Sequence, residues 1–358
     1  MIIIFISSLT GGGAEKVANM LAKYTSIKVP VTFVYINGSP QNEPSVDNCT
    51  FLKISARSTL LSAPSFMKLL ITLKPSAVIA FGNSCIMVAA ACRALFWKDF
   101  ILVGSERSNL SRNNKFLDKW FGIYRYFLRV SFLTCDKIHC VSEGSKIDLC
   151  RQLNIASEKV TVIYNPITRP ALKLSADSDR IGVFLKSLDG PIVFAVGRLS
   201  SEKDYHLLIS AFASFRNCNG GNLVIFGEGD LLSILQEFAL SIGVGSYVHF
   251  MGFVENPFRF SEYADLYVLC SKYEGYPNAL LEALVSGVSV VATDCESGPR
   301  EILTGPLSER LSPVGEVKSL WLKMDRFVGN CEDIDTFDHV SMFPANILEE
   351  YCMLLEVK

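Results

Sequence analysis

The chain has 358 residues, 49% hydrophobic and 20% charged, with a formal net charge of −2. That length suits two α/β domains better than one core, and the composition excludes wholesale disorder. The near-neutral charge speaks against nucleic acid as a partner, since that usually asks for a clearly basic domain.

The first residues are apolar but short, lack a basic leader and run into Gly11-Gly12-Gly13. A buried parallel strand over 2–7 explains them better than a signal peptide. Helix is then expected over 14–24, strand over 31–36 and helix over 65–73. Short buried strands are expected over 77–81 and 101–105, a long helix over 115–133, and strands over 137–141 and 160–163. Residues 170–179 are polar and irregular. The pattern then restarts, with strands over 191–196, 222–226, 248–251, 266–269 and 288–293. Helices are expected between them over 205–216, 231–242 and 278–286, and a last helix over 346–355. Apolar runs alternating with helices predict parallel sheets covered on both faces. The expected fold is therefore α/β, with two Rossmann-like domains and a cleft between them. The domains are placed at 1–168 and 191–335, with a linker over 169–190. The tail 336–358 is expected to return as a helix to the first domain. No uncharged apolar run reaches the ~18 residues of a spanning helix, so the cytosol is the expected location.

The 11 cysteines are scattered, without a Cys-x-x-Cys pair or zinc spacing, and read as reduced core residues. His139, His206, His249 and His339 have no triad or metal spacing and read as structural.

Chemistry concentrates in the second half. Ser271-Lys272-Tyr273-Glu274-Gly275-Tyr276-Pro277-Asn278-Ala279 directly follows an expected strand, and Glu282 comes one turn into the next helix. Two carboxylates at the start of one helix suit the hydroxyls of a sugar. Two solvated surface glutamates are the plain alternative. Gly275 and Pro277 constrain the loop, and Leu280-Leu281 and Ala283-Leu284 bury the helix, which weighs against it. Gly197-Arg198-Leu199, followed by Glu202-Lys203, closes the first strand of this half. Arg198 and Lys203 suit a diphosphate and its developing charge, although a salt-bridged turn reads as well. Ser297-Gly298-Pro299 opens a further helix whose backbone N–H groups suit a phosphate. Gly12 and Gly13 allow a ligand to approach backbone, or simply make a tight turn.

Together these segments resemble the retaining glycosyltransferases of family 4 with the GT-B fold, over most of the chain from Gly11 to about Ile302. The most specific mark is the Glu-x7-Glu pair, Glu274 and Glu282. Gly197-Arg198-Leu199, Glu202-Lys203, Gly227-Glu228-Gly229 and Gly252-Phe253-Val254 also match. The resemblance implies that Arg198 and Lys203 hold the donor diphosphate, Glu274 the donor sugar and Glu282 the ribose. Gly275, Pro277, Asn278, Ala279, Ser297 and Gly298 surround that donor, and Phe253 and Val254 lie near its base. Gly12 and Gly13 face its phosphates from the other domain. Gly12-Gly13-Ala14-Glu15-Lys16, Ser105-Glu106-Arg107, Asn165-Pro166 and Ser297-Gly298-Pro299-Arg300-Glu301 look like the bacterial surface-polysaccharide branch.

That branch implies a UDP-sugar donor carrying a hexose or N-acetylhexosamine. It implies an undecaprenyl-diphosphate-linked glycan as acceptor, an α-linkage, and work at the cytoplasmic face of the inner membrane in O-antigen or capsule synthesis. Many relatives carry a histidine where this chain has Glu106-Arg107, so no acid/base carries over there; both are candidates for the acceptor side. Asp177-Ser178-Asp179 lies in the expected linker and reads as a solvated loop, so no metal or other cofactor is expected. Between Arg107 and Lys137 stand seven basic residues against two aspartates, with Trp120, Tyr124, Tyr126 and Phe127 among them. They read either as an anionic-lipid surface or as a core helix with snorkelling basic side chains. A sugar-nucleotide epimerase, a phosphorylase or a non-catalytic sugar-nucleotide-binding subunit would use the same architecture. UDP release without any acceptor, or binding without turnover, would distinguish these.

Overall fold

The structure is a computed structural model that describes residues 1–9, 12–38, 47–96, 100–112, 121–167, 180–331 and 344–356. It divides into two units, Met1–Pro166 with Ser341–Lys358, and Ile167–Val340.

In the first unit the strands are β1 (Ile2–Phe5), β2 (Ser8–Leu9), β3 (Val31–Tyr35), β4 (Asn37–Gly38), β5 (Cys49–Lys53), β6 (Ala77–Phe81), β7 (Ile101–Glu106), β8 (Lys137–Cys140) and β9 (Val160–Val162). Seven form one parallel sheet in the order β5-β3-β1-β6-β7-β8-β9, and β2 pairs with β4. The helices are α1 (Gly13–Ser26), α2 (Ala63–Leu73), α3 (Asn83–Phe96), α4 (Phe121–Thr134) and α5 (Glu143–Leu153). The run Ile2-Ile3-Ile4-Phe5 is buried throughout because successive side chains point to opposite faces and both faces are covered. Ile3 and Phe5 join a core with Phe66, Ile86 and Phe132. Ile2 and Ile4 join the other, with Val17, Leu21, Phe33 and Tyr351. Tyr351 belongs to the last helix, Pro344–Leu354, whose Glu349 accepts from Tyr24 at 3.0 Å and Lys28 at 2.8 Å.

In the second unit the strands are β10 (Ile192–Val196), β11 (Asn222–Phe226), β12 (Val248–Phe250), β13 (Leu266–Leu269), β14 (Val290–Thr293) and β15 (Leu311–Ser312). They form a parallel sheet in the order β12-β11-β10-β13-β14-β15. The helices are α6 (Arg180–Lys186), α7 (Tyr205–Asn219), α8 (Leu232–Ser241), α9 (Asn278–Val285), α10 (Pro299–Ile302) and α11 (Val317–Phe327); the last helix of the chain is then α12.

The expected alternation of strand and helix is found in both units, with differences that have physical reasons. α3 escapes sequence reading because Cys85, Ile86, Val88, Ala89, Ala90 and Cys92 are all buried, which leaves no polar stripe to mark its period. α5 starts at a Ser142 cap whose side chain accepts from the Ser145 N–H at 3.1 Å. α11 buries Leu320, Met324 and Phe327, a helical spacing that was present in the sequence. The helix expected over 115–133 runs Phe121–Thr134, and residues 113–120 lie outside the described ones. The stretch 169–190 is not linker throughout, since α6 buries Leu185 within it. Asp177, Ser178, Asp179 and His339 lie outside the described residues.

Candidate active site

Strand order reverses once in each sheet: between β1 and β6 in the first unit, between β10 and β13 in the second. Open α/β sheets bind ligands outside the carboxyl ends of the strands at such a reversal, where neighbouring loops part to opposite faces. In the second unit the loops there are those the sequence singled out. β10 leads into Gly197-Arg198-Leu199, and β13 into Ser271–Pro277.

Two glycines let the loops after β10 and β11 pack backbone to backbone. A Cβ on Gly227 would stand 1.9 Å from the Gly197 carbonyl oxygen, and one on Gly229 2.3 Å from that of Leu199. The Leu199 N–H donates to the Glu228 carbonyl at 2.9 Å. Arg198 is thereby turned to solvent, while Leu199 is buried. A short turn follows and brings Lys203 inward, where its Nζ donates to Glu274 Oε1 at 2.5 Å. The Ser271 hydroxyl donates to the same oxygen at 2.6 Å. Burial alone would depress the Lys203 ammonium, but the Glu274 carboxylate reverses this and holds it above its ordinary value.

The loop after β14 locks the same place. Ser297 donates its hydroxyl to the Glu274 carbonyl at 2.7 Å, and Thr293 to that of Ser271 at 2.6 Å. Gly298 has φ +86°, and a Cβ there would lie 2.5 Å from Pro277 Cδ. Pro277 starts α9 without a side-chain cap; half-buried Asn278 and Ala279 occupy its first turn and Glu282 follows. Tyr267 of β13 carries a buried hydroxyl without a partner among the described residues. Burial pushes its pKa well up, with Tyr205, Glu274, Cys270 and Glu282 adding to the effect. The turn after β12 is tied in by the Gly227 N–H, which donates to the Gly252 carbonyl at 2.8 Å. The Phe253 N–H meets Glu228 Oε1 at 3.3 Å, and the Phe253 ring is 55% exposed. Val254 beside it is half-buried.

The structure thus brings Lys203, Glu274, Gly275, Pro277, Ser297 and Gly298 into one cluster. Sequence reading gave no role to Ser271 or Tyr267. A serine three residues before Glu274, directly after a strand, was the available signal for the first. For Tyr267, one residue in a buried strand, there was none.

The remaining candidates lie in the first unit. Gly12 caps α1, and its N–H donates to the Glu15 carboxylate at 3.2 Å; Gly13 is the first residue of that helix, and Gly11 is outside the described residues. Glu106 ends β7 and is 1% exposed. Its Oε1 accepts from the Arg107 N–H at 3.0 Å and from the Ser108 N–H and hydroxyl, both at 2.9 Å. Its Oε2 is buried without a partner among the described residues. Burial raises its pKa to about 7, against the opposing pull of the Ser108 and Arg107 bonds. Arg107 donates to Asn165 Oδ1 at 2.7 Å and the Tyr351 hydroxyl at 3.2 Å. His139 is in contact with Tyr351 at 3.1 Å and Ser105 Oγ at 2.8 Å. Burial, then Arg107, lowers its pKa to about 3, so the ring is neutral at physiological pH and structural, as expected. His206 and His249 likewise pack or bond within their unit, against Phe238 and Asn222. All 11 cysteines are free thiols.

Residues 179–332 match the sequence model of the family described as glycosyl transferases group 1. Residues 11–169 match that of glycosyltransferase family 4. The chain is 27% identical over 310 residues, 84% of its length and 82% of the relative's, to a Campylobacter jejuni enzyme. That relative is N-acetylgalactosamine-N,N'-diacetylbacillosaminyl-diphospho-undecaprenol 4-alpha-N-acetylgalactosaminyltransferase. It is 26% identical over 195 residues to lipopolysaccharide 1,6-galactosyltransferase of Salmonella typhimurium, covering 53% of this chain and 50% of that one. Among solved structures, Anabaena HepE in complex with UDP and glucose superposes with a TM-score of 0.80 at 18% identity, over 99% of both chains. With both halves matched and the fold shared from end to end, the chain belongs to the family 4 glycosyltransferases of GT-B fold.

Proposed function

We propose that this glycosyltransferase moves a hexose or N-acetylhexosamine from a UDP-sugar to a lipid-linked oligosaccharide in bacterial surface-polysaccharide synthesis, with retention and an α-linkage. The observation that carries the reading is the Lys203–Glu274 pair at the strand-order reversal of the second unit. A cation and a carboxylate held side by side present one group to a diphosphate and the other to sugar hydroxyls. Arg198, exposed on the same loop, supplies a second cation for the charge that develops on the leaving diphosphate. Glu282 takes the ribose, and Phe253, with its ring open to solvent, stacks on the base beside Val254. The backbone N–H groups at Gly275, Ser297 and Gly298 and at the start of α9 complete the donor site.

In the proposed reaction the bond from the anomeric carbon to the diphosphate oxygen breaks. The acceptor hydroxyl oxygen bonds to the same face, and its proton passes to the leaving diphosphate. No covalent enzyme nucleophile and no metal are assigned. The Campylobacter jejuni relative, by name an α-transferase acting on an undecaprenol-diphosphate-linked sugar, supports a lipid-linked acceptor and an α-linkage. The HepE complex supports UDP as the nucleotide.

Among the described residues no helix is long and apolar enough to cross a membrane. One face of α4 nonetheless exposes Ile123, Tyr126, Phe127, Val130 and Leu133 at helical spacing, beside exposed Arg125. That face is the proposed contact with the cytoplasmic side of the inner membrane, apolar side chains entering the interface and basic ones meeting anionic headgroups.

The test supplies purified protein with UDP-hexoses and UDP-N-acetylhexosamines, with and without a bacterial lipid-linked oligosaccharide extract. Acceptor-dependent UDP release and an α-configured product by NMR are expected. UDP release that needs no acceptor, or a β-configured product, would refute the reading.

A further inference from the structure

Tyr267 is among the largest fully buried side chains of the chain, yet its hydroxyl has no hydrogen-bond partner among the described residues. A phenylalanine would fill the same space without a polar atom to satisfy. A buried hydroxyl left unpaired has given up water and gained nothing in return, so it is unexpected unless another state of the protein completes it.

The surroundings limit what that state is. Tyr267 lies in β13, between Phe194 of β10 and Val290 of β14. Its ring meets Phe258 edge-on, with 5.4 Å between centroids. Phe258 belongs to the short helical turn Pro257–Tyr263, and α9 packs against both that turn and β13. A ring enclosed in this way holds its hydroxyl in place, so the partner must come to it. Burial pushes the hydroxyl's pKa well up, and Tyr205, Glu274, Cys270 and Glu282 add to the effect. The group therefore keeps its proton and is a donor, with two carboxylates in electrostatic reach. Glu274 is already held: its Oε1 accepts from Lys203 at 2.5 Å and Ser271 at 2.6 Å, and Ser297 bonds its carbonyl. Glu282 stands on α9, the helix that packs on β13 beside the turn of Phe258.

We infer that Tyr267 is a positioning residue for the donor nucleotide, its hydroxyl donating to the Glu282 carboxylate once the ribose has drawn that carboxylate into place. A carboxylate accepts on both oxygens, here from ribose hydroxyls in the site and from the tyrosine in the strand beneath. A bond made only in the liganded state adds to affinity, whereas one present in both states would add nothing. The inference rests on Glu282 taking the ribose, as proposed above.

Calorimetric titration of the full-length protein tests it, with UDP and 2′,3′-dideoxy-UDP as probes, alongside melting of the free protein. Tyr267→Phe should leave Tm unchanged or raise it, since it removes an unpaired group, and should weaken UDP about tenfold, as loss of a hydrogen bond to a charged group does. The dideoxy nucleotide lacks the hydroxyls that draw Glu282 and should bind both proteins within about twofold. In a Glu282→Gln background the same substitution should change UDP binding by less than about twofold. Equal UDP binding by wild type and Tyr267→Phe overturns the inference and leaves the donor site standing. Equal losses for both nucleotides, a lowered Tm, or full additivity with Glu282→Gln also overturn it, because each marks a general packing defect. Failure of wild type to bind UDP overturns the donor-site reading and this inference with it.

Discussion

Lys203→Met removes the ammonium that Glu274 and the proposed diphosphate share, and its effects can be sized in advance. The Lys203 and Glu274 side chains are only 23% and 12% exposed, so their contact falls in the buried-pair regime. Breaking a fully buried pair by removing one partner costs about 3–5 kcal/mol. Here the Ser271 hydroxyl still donates to the stranded carboxylate at 2.6 Å. That bond and partial access to water reduce the expected loss to about 2–3 kcal/mol. For a unit of this size each kcal/mol shifts Tm by about 2–4 °C, which gives a drop of roughly 4–12 °C in scanning calorimetry. In steady-state kinetics, losing a preorganised charge at a leaving group lowers kcat/KM by about 10²–10³-fold. Glu274→Gln measures the coupling. Adding it to Lys203→Met should lower Tm and kcat/KM by much less than it does alone, because its charged partner is already gone. Additive losses in both quantities would refute the shared-ion account.

Four further outcomes follow from particular contacts. Arg198→Ala should leave Tm unchanged within the error of calorimetry, because the side chain is exposed, yet lower kcat/KM by about 10²-fold; unchanged kinetics would remove its role. Gly298→Ala forces a Cβ onto Pro277 Cδ at a φ of +86°, and should cost about 2–4 kcal/mol with weakened UDP binding by calorimetric titration. Glu106 has a folded pKa of about 7 against an ordinary 4.5, so the folded state holds its proton more tightly than the unfolded one. Its contribution to stability is full below the ordinary value and is lost as pH rises through the folded value, about 3 kcal/mol in all. Glu106→Gln should abolish that slope in a pH series of melts and be the more stable protein at pH 8. Tyr126→Ser with Phe127→Ser should weaken flotation with anionic vesicles at least fivefold and leave flotation with neutral ones little changed; equal flotation of wild type and variant would remove the membrane face.

The alternation of strand and helix and the two-part organisation are legible in the residues alone. Runs such as Ile2–Phe5 and Asn222–Phe226 carry that information locally, since only a parallel sheet covered on both faces buries such a run. The donor-site candidates are legible there as well. Loop glycines at Gly197 and Gly298, and a carboxylate beside the start of a helix, are local facts whose physical reasons lie within a few residues. α3 was hidden by its own burial, because a helix wrapped in core on most sides shows no period. Which side chains meet depends on how distant segments pack. Lys203 and Glu274 are far apart in the chain and touch because β10 and β13 are neighbours across a reversal of strand order. Glu106 looked like a possible acceptor-side residue beside a basic neighbour. Its burial at the end of β7 and its place in a cavity arise from β1, β6, β7 and α4 packing together, and no single segment encodes that.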